Sequence, residues 1–233
     1  MKLLVSDYDG TFNSDLRNLR INIKTIEKFR KKGNKFVINT GRCYESIKKE
    51  IDLYKIKYDY LVCNNGLIVF DCNNNVLTSS CLSNNKLNLI NSYIDKNNYV
   101  KKKSPYDFYS ISDKFENVLE LCISFKNIKS TKLAHQELSS MHDILCYRYL
   151  NKIFISNNIT KSDAVSFIQN LEDVSNEDIY TVGDNINDLE MLQDFNGYKM
   201  LYSYPCLWFK KIKTTREVHT LVKKINKRWL YES

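Results

Sequence analysis

The chain has 233 residues, 43% of them hydrophobic, and a formal charge of +8, which allows a substantial core in one large domain or in a domain with an insertion. No apolar run approaches the roughly 18 residues that a membrane span needs, and residues 1–5 are too short for a signal peptide. The seven cysteines have neither CxxC spacing nor the density of a disulfide scaffold, so we expect reduced thiols in a cytoplasmic protein without membrane contact.

The first predicted element is a short apolar strand, residues 3–5, that ends in two carboxylates. Asp7 and Asp9 are two positions apart, so they point to the same side of an extended segment and can converge where the strand stops. Gly10 lets the chain turn there without a Cβ clash, and the Thr11 hydroxyl then faces the same space. Two close carboxylates repel unless a cation lies between them or one takes a proton, and Mg²⁺ prefers such oxygen ligands. A strand followed by an ordinary Asp-Gly turn is the alternative interpretation.

Helices and strands alternate through the next part of the chain. Thr40 follows the second apolar run, and Asn64 with Asn65 follows the third, as the Asp pair follows the first. Strands that alternate with helices form a parallel sheet, which binds ligands beyond the carboxyl ends of its strands, so we expect these polar residues to share one edge. The predicted elements are a helix over 22–32 with Asn22 as its N-cap, a strand over 35–39, a helix over 44–51 and a strand over 60–63.

The pattern changes from about residue 83. A hairpin over 67–78 comes before it, and helical and strand patterns then follow in the order α-β-β-α-β-β. We expect these elements to form a small antiparallel sheet covered by two helices, inserted as a second domain over residues 83–155 into a core made of residues 1–82 and 156–233. The predicted strands of the insertion lie over 108–111, 118–125, 145–150 and 152–156.

The alternation resumes with a helix that Thr160 and Asp163 would cap, because a Thr followed by an acid three residues later resembles a capping box. Lys161 then lies in the first turn of this helix. A strand over 179–182 follows and stops at residues 183–188, which are again polar and acidic. The carboxyl end of another buried strand therefore carries acids.

Seven polar side chains thus gather at predicted strand ends and helix starts. Carboxylates, a divalent cation and an ammonium together suit a phosphoryl group: the cation offsets the negative charges, Lys161 and Thr40 hold phosphate oxygens, and an Asp can attack phosphorus. Each residue also has a structural alternative, such as an exposed lysine at a helix start or acids at a helix N-terminus. The seven are Asp7, Asp9, Thr40, Lys161, Asp184, Asn187 and Asp188.

Four motifs in this order resemble those of the haloacid dehalogenase superfamily of phosphatases, in its Cof-type branch with an α/β (C2B-type) cap. The resemblance covers essentially the whole chain and implies an α/β fold, with a Rossmann-like parallel-sheet core and an inserted αββαββ cap. It also implies a Mg²⁺-dependent enzyme that hydrolyses a small phosphorylated metabolite, such as a sugar phosphate, through an aspartyl-phosphate. The motifs are DxDGT at residues 7–11, the Thr of Thr40-Gly41-Arg42, the Lys at Lys161 and GDxxND at residues 183–188.

The resemblance implies a role for each matching position. Asp7 would be the nucleophile, and Asp9 would protonate the leaving oxygen and later deprotonate the attacking water. The catalytic set would be Asp7, Asp9, Thr40 and Lys161, of which the last two bind the phosphoryl group. The metal ligands would be Asp7, Asp9 through its backbone carbonyl, Asp184 and Asp188. The residues expected to bind substrate are Gly10, Thr11, Gly41, Arg42, Asn65 and Asn187.

Two segments bear on the choice of substrate. Lysines 101–103 and Tyr106 could contact an anionic substrate, although a solvated lysine loop is the simpler interpretation. Residues 195–209 lack the Gly-Asn-Ala type of loop that is common in relatives. They are aromatic instead, with Tyr202, Tyr204, Trp208 and Phe209.

Other functions stay open at this level. A phosphomutase shares the first motif, but GDxxND favours a phosphatase. A receiver domain also pairs acids with a Thr and a Lys, but it is shorter and has no inserted cap.

The basic segment 199–233 has nine Lys or Arg residues and two Glu residues, a net charge of +7, and could bind nucleic acid. Apolar residues recur in it at helical spacing, so we interpret the cations as the solvated face of an amphipathic helix and expect no nucleic-acid partner. These apolar residues are Val218, Leu221, Val222 and Ile225.

Overall fold

A computed structural model describes residues 1–141 and 143–228, so the end of the basic segment, residues 229–233, lies outside the described residues. Its strands are β1 Leu3–Ser6, β2 Lys35–Asn39, β3 Tyr60–Cys63, β4 Ile68–Asp71, β5 Val76–Ser79, β6 Val100–Tyr106, β7 Glu120–Phe125, β8 Ile144–Tyr149, β9 Lys152–Asn157, β10 Ile179–Gly183, β11 Asn196–Met200 and β12 Lys213–Thr215. Its helices are α1 Leu16–Arg30, α2 Tyr44–Tyr54, α3 Asn84–Asp95, α4 Ile128–Leu138, α5 Lys161–Glu172, α6 Leu189–Asp194 and α7 Val218–Arg228.

The larger sheet has eight strands in the order β12-β11-β10-β1-β2-β3-β4-β5. The strands from β12 to β3 run parallel, whereas β4 and β5 form the predicted antiparallel hairpin. The strands β1 and β10 are buried along their whole length, as continuous apolar runs in the middle of a parallel sheet should be. The predicted α/β fold with a Rossmann-like parallel sheet is confirmed.

Helix α1 begins earlier than its pattern predicted. Asp15 is the N-cap, and its carboxylate accepts a hydrogen bond from the Asn18 N–H at 2.8 Å. Asn22, the predicted cap, is fully buried inside the helix. Its side-chain amide donates to Phe12 O at 2.9 Å, and its side-chain oxygen accepts from the His219 N–H at 2.9 Å. The prediction was wrong because an Asn that ties two segments together is the same residue type as a cap.

The second sheet has four antiparallel strands in the order β6-β7-β9-β8. Leu121, Ile123 and Phe125 of β7 are buried in one cluster with residues of α3 and α4, so the two helices cover one face of this sheet. The chain order α3-β6-β7-α4-β8-β9 is the predicted α-β-β-α-β-β order.

The first strand of this sheet lies earlier than predicted. Residues 108–111 do not form it, and lysines 101–103 belong to β6 rather than to a solvated loop. Because β6 is an edge strand, its lysines and Pro105 protect the exposed edge from pairing with another chain. A polar strand that contains proline shows little hydrophobic alternation, which is why the strand was predicted too late in the chain and the lysines were assigned to a loop; Lys101 and Lys102 are exposed, as that interpretation expected.

Two neighbouring connections join the second sheet to the larger one. The Asn157 amide donates to Ser80 Oγ at 3.0 Å and to Cys81 O at 2.8 Å, which ties the outgoing and returning segments together. The loop after β6 also reaches α2, where the Glu45 N–H donates to Tyr109 O at 2.8 Å. The second sheet is therefore attached close to the loop that follows β2.

Strand β7 carries a buried carboxyl group on the sheet face opposite the helices. Glu120 precedes the helix-facing Leu121, so the alternation of a strand puts it on the other face. It is 5% exposed, and the Tyr147 hydroxyl donates to it at 3.0 Å. Burial raises the pKa of Glu120 to about 7, against the opposing effect of the hydrogen bond from Tyr147.

The C-terminal helix α7 buries its apolar face. Its four predicted core residues are buried, whereas Lys223 and Lys224 are exposed, so the amphipathic-helix interpretation is confirmed.

Among the described residues, no helix combines the length and the apolar character needed to cross a bilayer. None of the seven cysteines, all of which lie in the described residues, forms a disulfide.

Candidate active site

Four loops at the carboxyl edge of the larger sheet surround one cleft. They follow β2, β1, β10 and β11, which are consecutive strands in the sheet, so loops that are far apart in the chain become neighbours in space. The cleft has a volume of about 350 Å³. It is lined by Asp7, Asp9, Gly10, Thr40, Gly41, Arg42, Asp184, Asn185, Asn187 and Tyr204.

The central strands bring Asp7, Asp184 and Thr40 to this edge. The parallel pairing of β1 with β10 ends at Ser6 and Val182, and the Asp7 N–H continues it by donating to Val182 O at 2.9 Å. Asp7 and Asp184 therefore leave adjacent strands at nearly the same level. Strand β2, on the other side of β1, ends immediately before Thr40.

Three carboxylates and one ammonium group lie at the base of the cleft. One oxygen from each of Asp7, Asp184 and Asp188 lies within 4.8 Å of the others, and all three residues are buried. Lys161 Nζ donates to Asp7 Oδ1 at 2.6 Å and to Asp188 Oδ1 at 2.7 Å. The Lys161 side chain is 0% exposed. The fold thus places a fully buried cation between two acids, one of them 154 positions away along the chain.

Helix α5 presents Lys161 from its first turn. The predicted capping box is present, and Asp163 Oδ2 accepts from the Thr160 N–H at 2.8 Å. The Asn39 amide donates to Lys161 O at 3.0 Å, which ties this turn to the end of β2. Gly66 adopts a φ of +105°, and a Cβ at this position would lie 2.1 Å from Thr160 O. Only glycine lets the turn after β3 pass this close to the helix start.

Backbone groups and one hydroxyl hold the two acids that follow β10. Asp188 Oδ2 accepts from the N–H groups of Asp184 at 2.9 Å and Asn185 at 3.0 Å. Thr11, which was predicted to bind substrate, is fully buried, and its hydroxyl donates to Asp184 Oδ1 at 3.0 Å. Gly10 has a φ of +76°, and a Cβ there would lie 2.6 Å from Asp184 Oδ2. The loops after β1 and β10 therefore meet more closely than a side chain at Gly10 would allow.

Burial and like charges perturb the ionisation of this cluster. Burial raises the pKa of Asp7, with Lys161 opposing the rise and Asp188 adding to it. Burial also raises the pKa of Asp184, and the charge of Asp188 adds to the effect. Burial by itself would lower the pKa of Lys161, but the charges of Asp188 and Asp7 together raise it above its usual value. The lysine therefore stays an ammonium, and the acids gain from any further positive charge.

The donor set fits a hard divalent cation. With all groups ionised, three carboxylates and one ammonium carry a net charge of −2, which a divalent ion would neutralise. The donors are oxygens, which Mg²⁺ prefers, and Asp7 and Asp184 face the open cleft. Asp7, Asp184 and Asp188 could therefore hold a metal ion. The Asp9 carboxylate is not part of this cluster; the contribution predicted for Asp9 is its backbone carbonyl.

The Asp9 carboxylate pairs with Arg42 in the cleft. Arg42 donates from Nε to Asp9 Oδ2 at 2.7 Å and from Nη2 to Asp9 Oδ1, which makes the pair bidentate. Arg42 Nη1 donates to Glu50 Oε1 at 3.1 Å, and Glu50 Oε2 accepts from the Tyr8 hydroxyl at 2.9 Å. The guanidinium also lies over the Tyr8 ring, 5.5 Å from its centroid. Glu50 and Tyr8 thus orient Arg42, which in turn orients Asp9.

The remaining predicted residues connect three of the loops. Thr40 is 1% exposed, and its Oγ1 accepts from the Arg42 N–H at 3.1 Å. The Asn187 amide donates to Asn65 Oδ1 at 2.9 Å. A Cβ on Gly41 would lie 2.9 Å from the same Asn65 oxygen, so the loop after β2 packs directly against the turn after β3.

The structure brings the predicted residues to one edge, but it gives them different places. Eight of the twelve line the cleft, whereas Thr11, Asn65, Lys161 and Asp188 support them by the hydrogen bonds described above. Asn185 and Tyr204 also line the cleft and were not predicted, although Asn185 lies inside the GDxxND motif and Tyr204 inside the aromatic segment. Glu50 had no signal in the sequence, because its partner Tyr8 is 42 positions away.

Comparison with known proteins identifies relatives along most of the chain. The family model for haloacid dehalogenase-like hydrolases matches residues 4–100 and 88–201. A protein from Buchnera aphidicola subsp. Baizongia pistaciae that carries a provisional phosphatase name is 27% identical over 226 residues, which cover 84% of each chain. A phosphatase of the haloalkanoate enzyme superfamily from Bacteroides thetaiotaomicron superposes with a TM-score of 0.79 at 17% identity, over 97% of this chain and 94% of its own. A sugar phosphatase of subclass IIB of the same superfamily superposes with a TM-score of 0.73 at 17% identity, over 98% of this chain and 99% of its own.

Proposed function

The chain belongs to the haloacid dehalogenase-like hydrolases, whose family model matches most of its length, and we propose that it is a Mg²⁺-dependent phosphatase of a small phosphorylated metabolite. The observation that carries the proposal is the buried Lys161 ammonium between Asp7 and Asp188 at the base of an open cleft. A phosphoryl group needs this combination of a carboxylate nucleophile and fixed positive charge.

Asp7 supplies the nucleophile. Its carboxylate lies at the base of the cleft, and Lys161 holds Oδ1 at 2.6 Å, so the side chain is oriented before substrate arrives. Attack forms a bond between an Asp7 oxygen and phosphorus while the bond to the ester oxygen breaks, which gives an aspartyl-phosphate. Water then attacks the phosphorus, the bond to Asp7 breaks, and inorganic phosphate leaves with the carboxylate restored.

Asp9 moves the protons for both steps. It protonates the departing ester oxygen in the first step and takes a proton from the attacking water in the second. Arg42 makes two hydrogen bonds to its carboxylate, so this pair must open before Asp9 can carry a proton. A phosphate dianion accepts the same bidentate pattern from a guanidinium, and an incoming substrate can therefore draw Arg42 away from Asp9.

The phosphoryl oxygens are bound by the groups around the base of the cleft. Thr40 and Lys161 contribute a hydroxyl and an ammonium, and the backbone amides near Gly10 and Gly41 contribute N–H groups. Mg²⁺ bound by Asp7, Asp184, Asp188 and the Asp9 carbonyl would supply positive charge that offsets the carboxylates and the phosphoryl oxygens.

We also propose that residues 83–155 form a cap on a core of residues 1–82 and 156–233. The Asn157 hydrogen bonds tie the two connections side by side, and the contact of Tyr109 with Glu45 brings the second sheet near the loop that carries Arg42. A cap in this place would exclude water and help to select the leaving group. The sugar phosphatase among the similar structures supports a sugar phosphate as the kind of substrate.

The proposal is tested by phosphate release from p-nitrophenyl phosphate by the purified full chain, with Mg²⁺ and with EDTA. We expect activity with Mg²⁺, loss of activity with EDTA, and a fall of about 10³-fold or more in Asp7→Asn. Asp52→Asn is the matched control, because Asp52 is an exposed acid paired with Lys48 on the surface of α2, and it should keep wild-type activity. Full activity in Asp7→Asn would refute the proposal.

A further inference from the structure

The segment after β11 exposes several aromatic rings beside the cleft. The exposed fractions of Tyr202, Tyr204, Trp208 and Phe209 are 85%, 58%, 59% and 94%. Tyr204 is the one of these four that lines the cleft. Large apolar side chains that stay exposed together mark surfaces where a ligand or partner binds, and the position of Tyr204 points to the ligand of the cleft.

Hydrogen bonds hold this loop in one conformation. Lys199 Nζ donates to three backbone oxygens, those of Leu207 at 2.8 Å and of Trp208 and Lys210 at 3.0 Å. Trp208 Nε1 donates to Ser203 O at 2.7 Å, and the Leu207 side chain is fully buried. The exposed rings therefore stand on a well-anchored base, which lowers the entropy lost when a ligand packs against them.

The backbone of Tyr204 is attached to the catalytic cluster. Its N–H donates to Asp184 O at 2.8 Å, and Pro205 begins a short 3₁₀ turn, Pro205–Leu207, directly after it. Because Asp184 belongs to the acidic cluster at the base of the cleft, the backbone from which the tyrosine ring extends is fixed relative to the place where phosphorus would bind.

Amide side chains with unused hydrogen-bonding groups accompany Tyr204 in the cleft lining. Asn185 Oδ1 accepts from the Ile186 N–H at 2.7 Å, and the Asn185 amide N–H groups donate to none of the described residues. Asn187 donates its amide N–H to Asn65, and its carbonyl oxygen accepts from none of the described residues. An aromatic face beside a donor and an acceptor is complementary to a hydroxylated ring, whose C–H face packs on the tyrosine while its hydroxyls bond to the amides.

We propose that Tyr204 is a specificity-determining residue that favours phosphate monoesters with a hydroxylated ring as the leaving group. The inference rests on the proposed phosphatase activity, because the phosphoryl group at Asp7 sets where the leaving group lies. The leaving group then occupies the rest of the cleft, whose lining includes Tyr204. The core loop after β11 thus takes part in substrate selection together with the proposed cap.

The test compares kcat/KM of the full chain with Mg²⁺ for glucose 6-phosphate and for glycerol 3-phosphate, which has no ring. Wild type should prefer the sugar phosphate. Tyr204→Ala should lower kcat/KM for glucose 6-phosphate about tenfold, mainly through KM, which is the size of one aromatic packing contact. The same variant should change kcat/KM for glycerol 3-phosphate by less than about twofold, and Tyr204→Phe should keep the preference for the ring.

Tyr202→Ala is the matched control, because Tyr202 is a more exposed tyrosine on the same loop that does not line the cleft; both substrates should be unaffected. Three results would overturn the inference while hydrolysis itself persists. They are an equal loss for both substrates in Tyr204→Ala, no loss for either substrate in that variant, and a wild type that does not prefer the sugar phosphate. A wild type that releases phosphate from neither ester nor from p-nitrophenyl phosphate would overturn the proposed function and the inference with it. If Tyr204→Ala lowers the melting temperature, Tyr204→Leu keeps the bulk of the side chain, and the same comparison decides.

Discussion

Replacement of Lys161 by methionine removes the one positive charge between Asp7 and Asp188 while it keeps a side chain of similar length. Both hydrogen bonds of its ammonium, at 2.6 and 2.7 Å, are lost, and the three buried acids are left without a cation. Removal of one partner from a buried ion pair lowers the free energy of unfolding by about 3–5 kcal/mol, because the remaining charge is uncompensated. We expect a loss of this size in Lys161→Met when divalent ions are absent.

The measurement is urea unfolding followed by far-UV circular dichroism in EDTA at pH 8. With a slope of about 1–3 kcal/mol per molar urea, the expected loss moves the midpoint down by more than about 1 M. Lys35→Met is the matched control. Lys35 pairs with Glu172, but its side chain is 31% exposed, and a solvated pair contributes at most about 1 kcal/mol.

Two conditions sharpen this prediction. Because burial raises the pKa of Asp7, a proton on that carboxyl can replace part of the missing charge, so the loss in Lys161→Met should be smaller at pH 5.5 than at pH 8. Millimolar Mg²⁺ should stabilise Lys161→Met more than wild type, since the three acids then lack the ammonium that otherwise offsets them. A midpoint in EDTA at pH 8 that stays within about 0.3 M of wild type would refute the claim that Lys161 holds this cluster together.

Two further variants test other parts of the structure. Glu120 holds its proton to about pH 7 when folded, whereas the unfolded chain loses it near pH 4.5, so this group makes the free energy of unfolding fall by roughly 3 kcal/mol as the pH rises through that interval. Glu120→Gln should therefore match wild type at pH 4.5 and be more stable than wild type at pH 8 by about that amount in chemical unfolding; a stability difference that is the same at both pH values would contradict the assignment. Gly66→Ala places a Cβ 2.1 Å from Thr160 O, which must push the start of α5 away, so we expect a fall in kcat of about 10²-fold. The control is Gly33→Ala, which has a similar positive φ of +79° but no atom within 4 Å of the new Cβ; it should lower stability slightly and leave kcat unchanged, and equal activity losses in both variants would count against the packing argument.

The local features of the chain were readable without coordinates because they depend on neighbours in sequence. The strand ends at Asp7 and Thr40 and the apolar face of α7 follow from periodicities of 2 and 3.6 residues. The capping box follows from two residues that are three positions apart, Thr160 and Asp163. The errors arose where tertiary contacts compete with such local signals. Asn22 had the residue type of a cap but is used to bind two distant segments, and β6 is an edge strand whose lysines hide its alternation.

The sequence by itself determined which residue types end the buried strands and begin α5: the strand ends carry the oxygen donors of the candidate site, and the helix start carries its lysine. Tertiary structure decided how they meet. Thr11 lies 173 positions from Asp184 yet donates a hydrogen bond to it, because β10 pairs with β1 in a sheet order that no local pattern encodes. The same sheet order places β11 next to β10 and so puts Tyr204 in the cleft. Strand order, burial of Lys161 and the pairing of Arg42 with Asp9 depend on packing between distant segments, and for that physical reason only the folded chain reveals them.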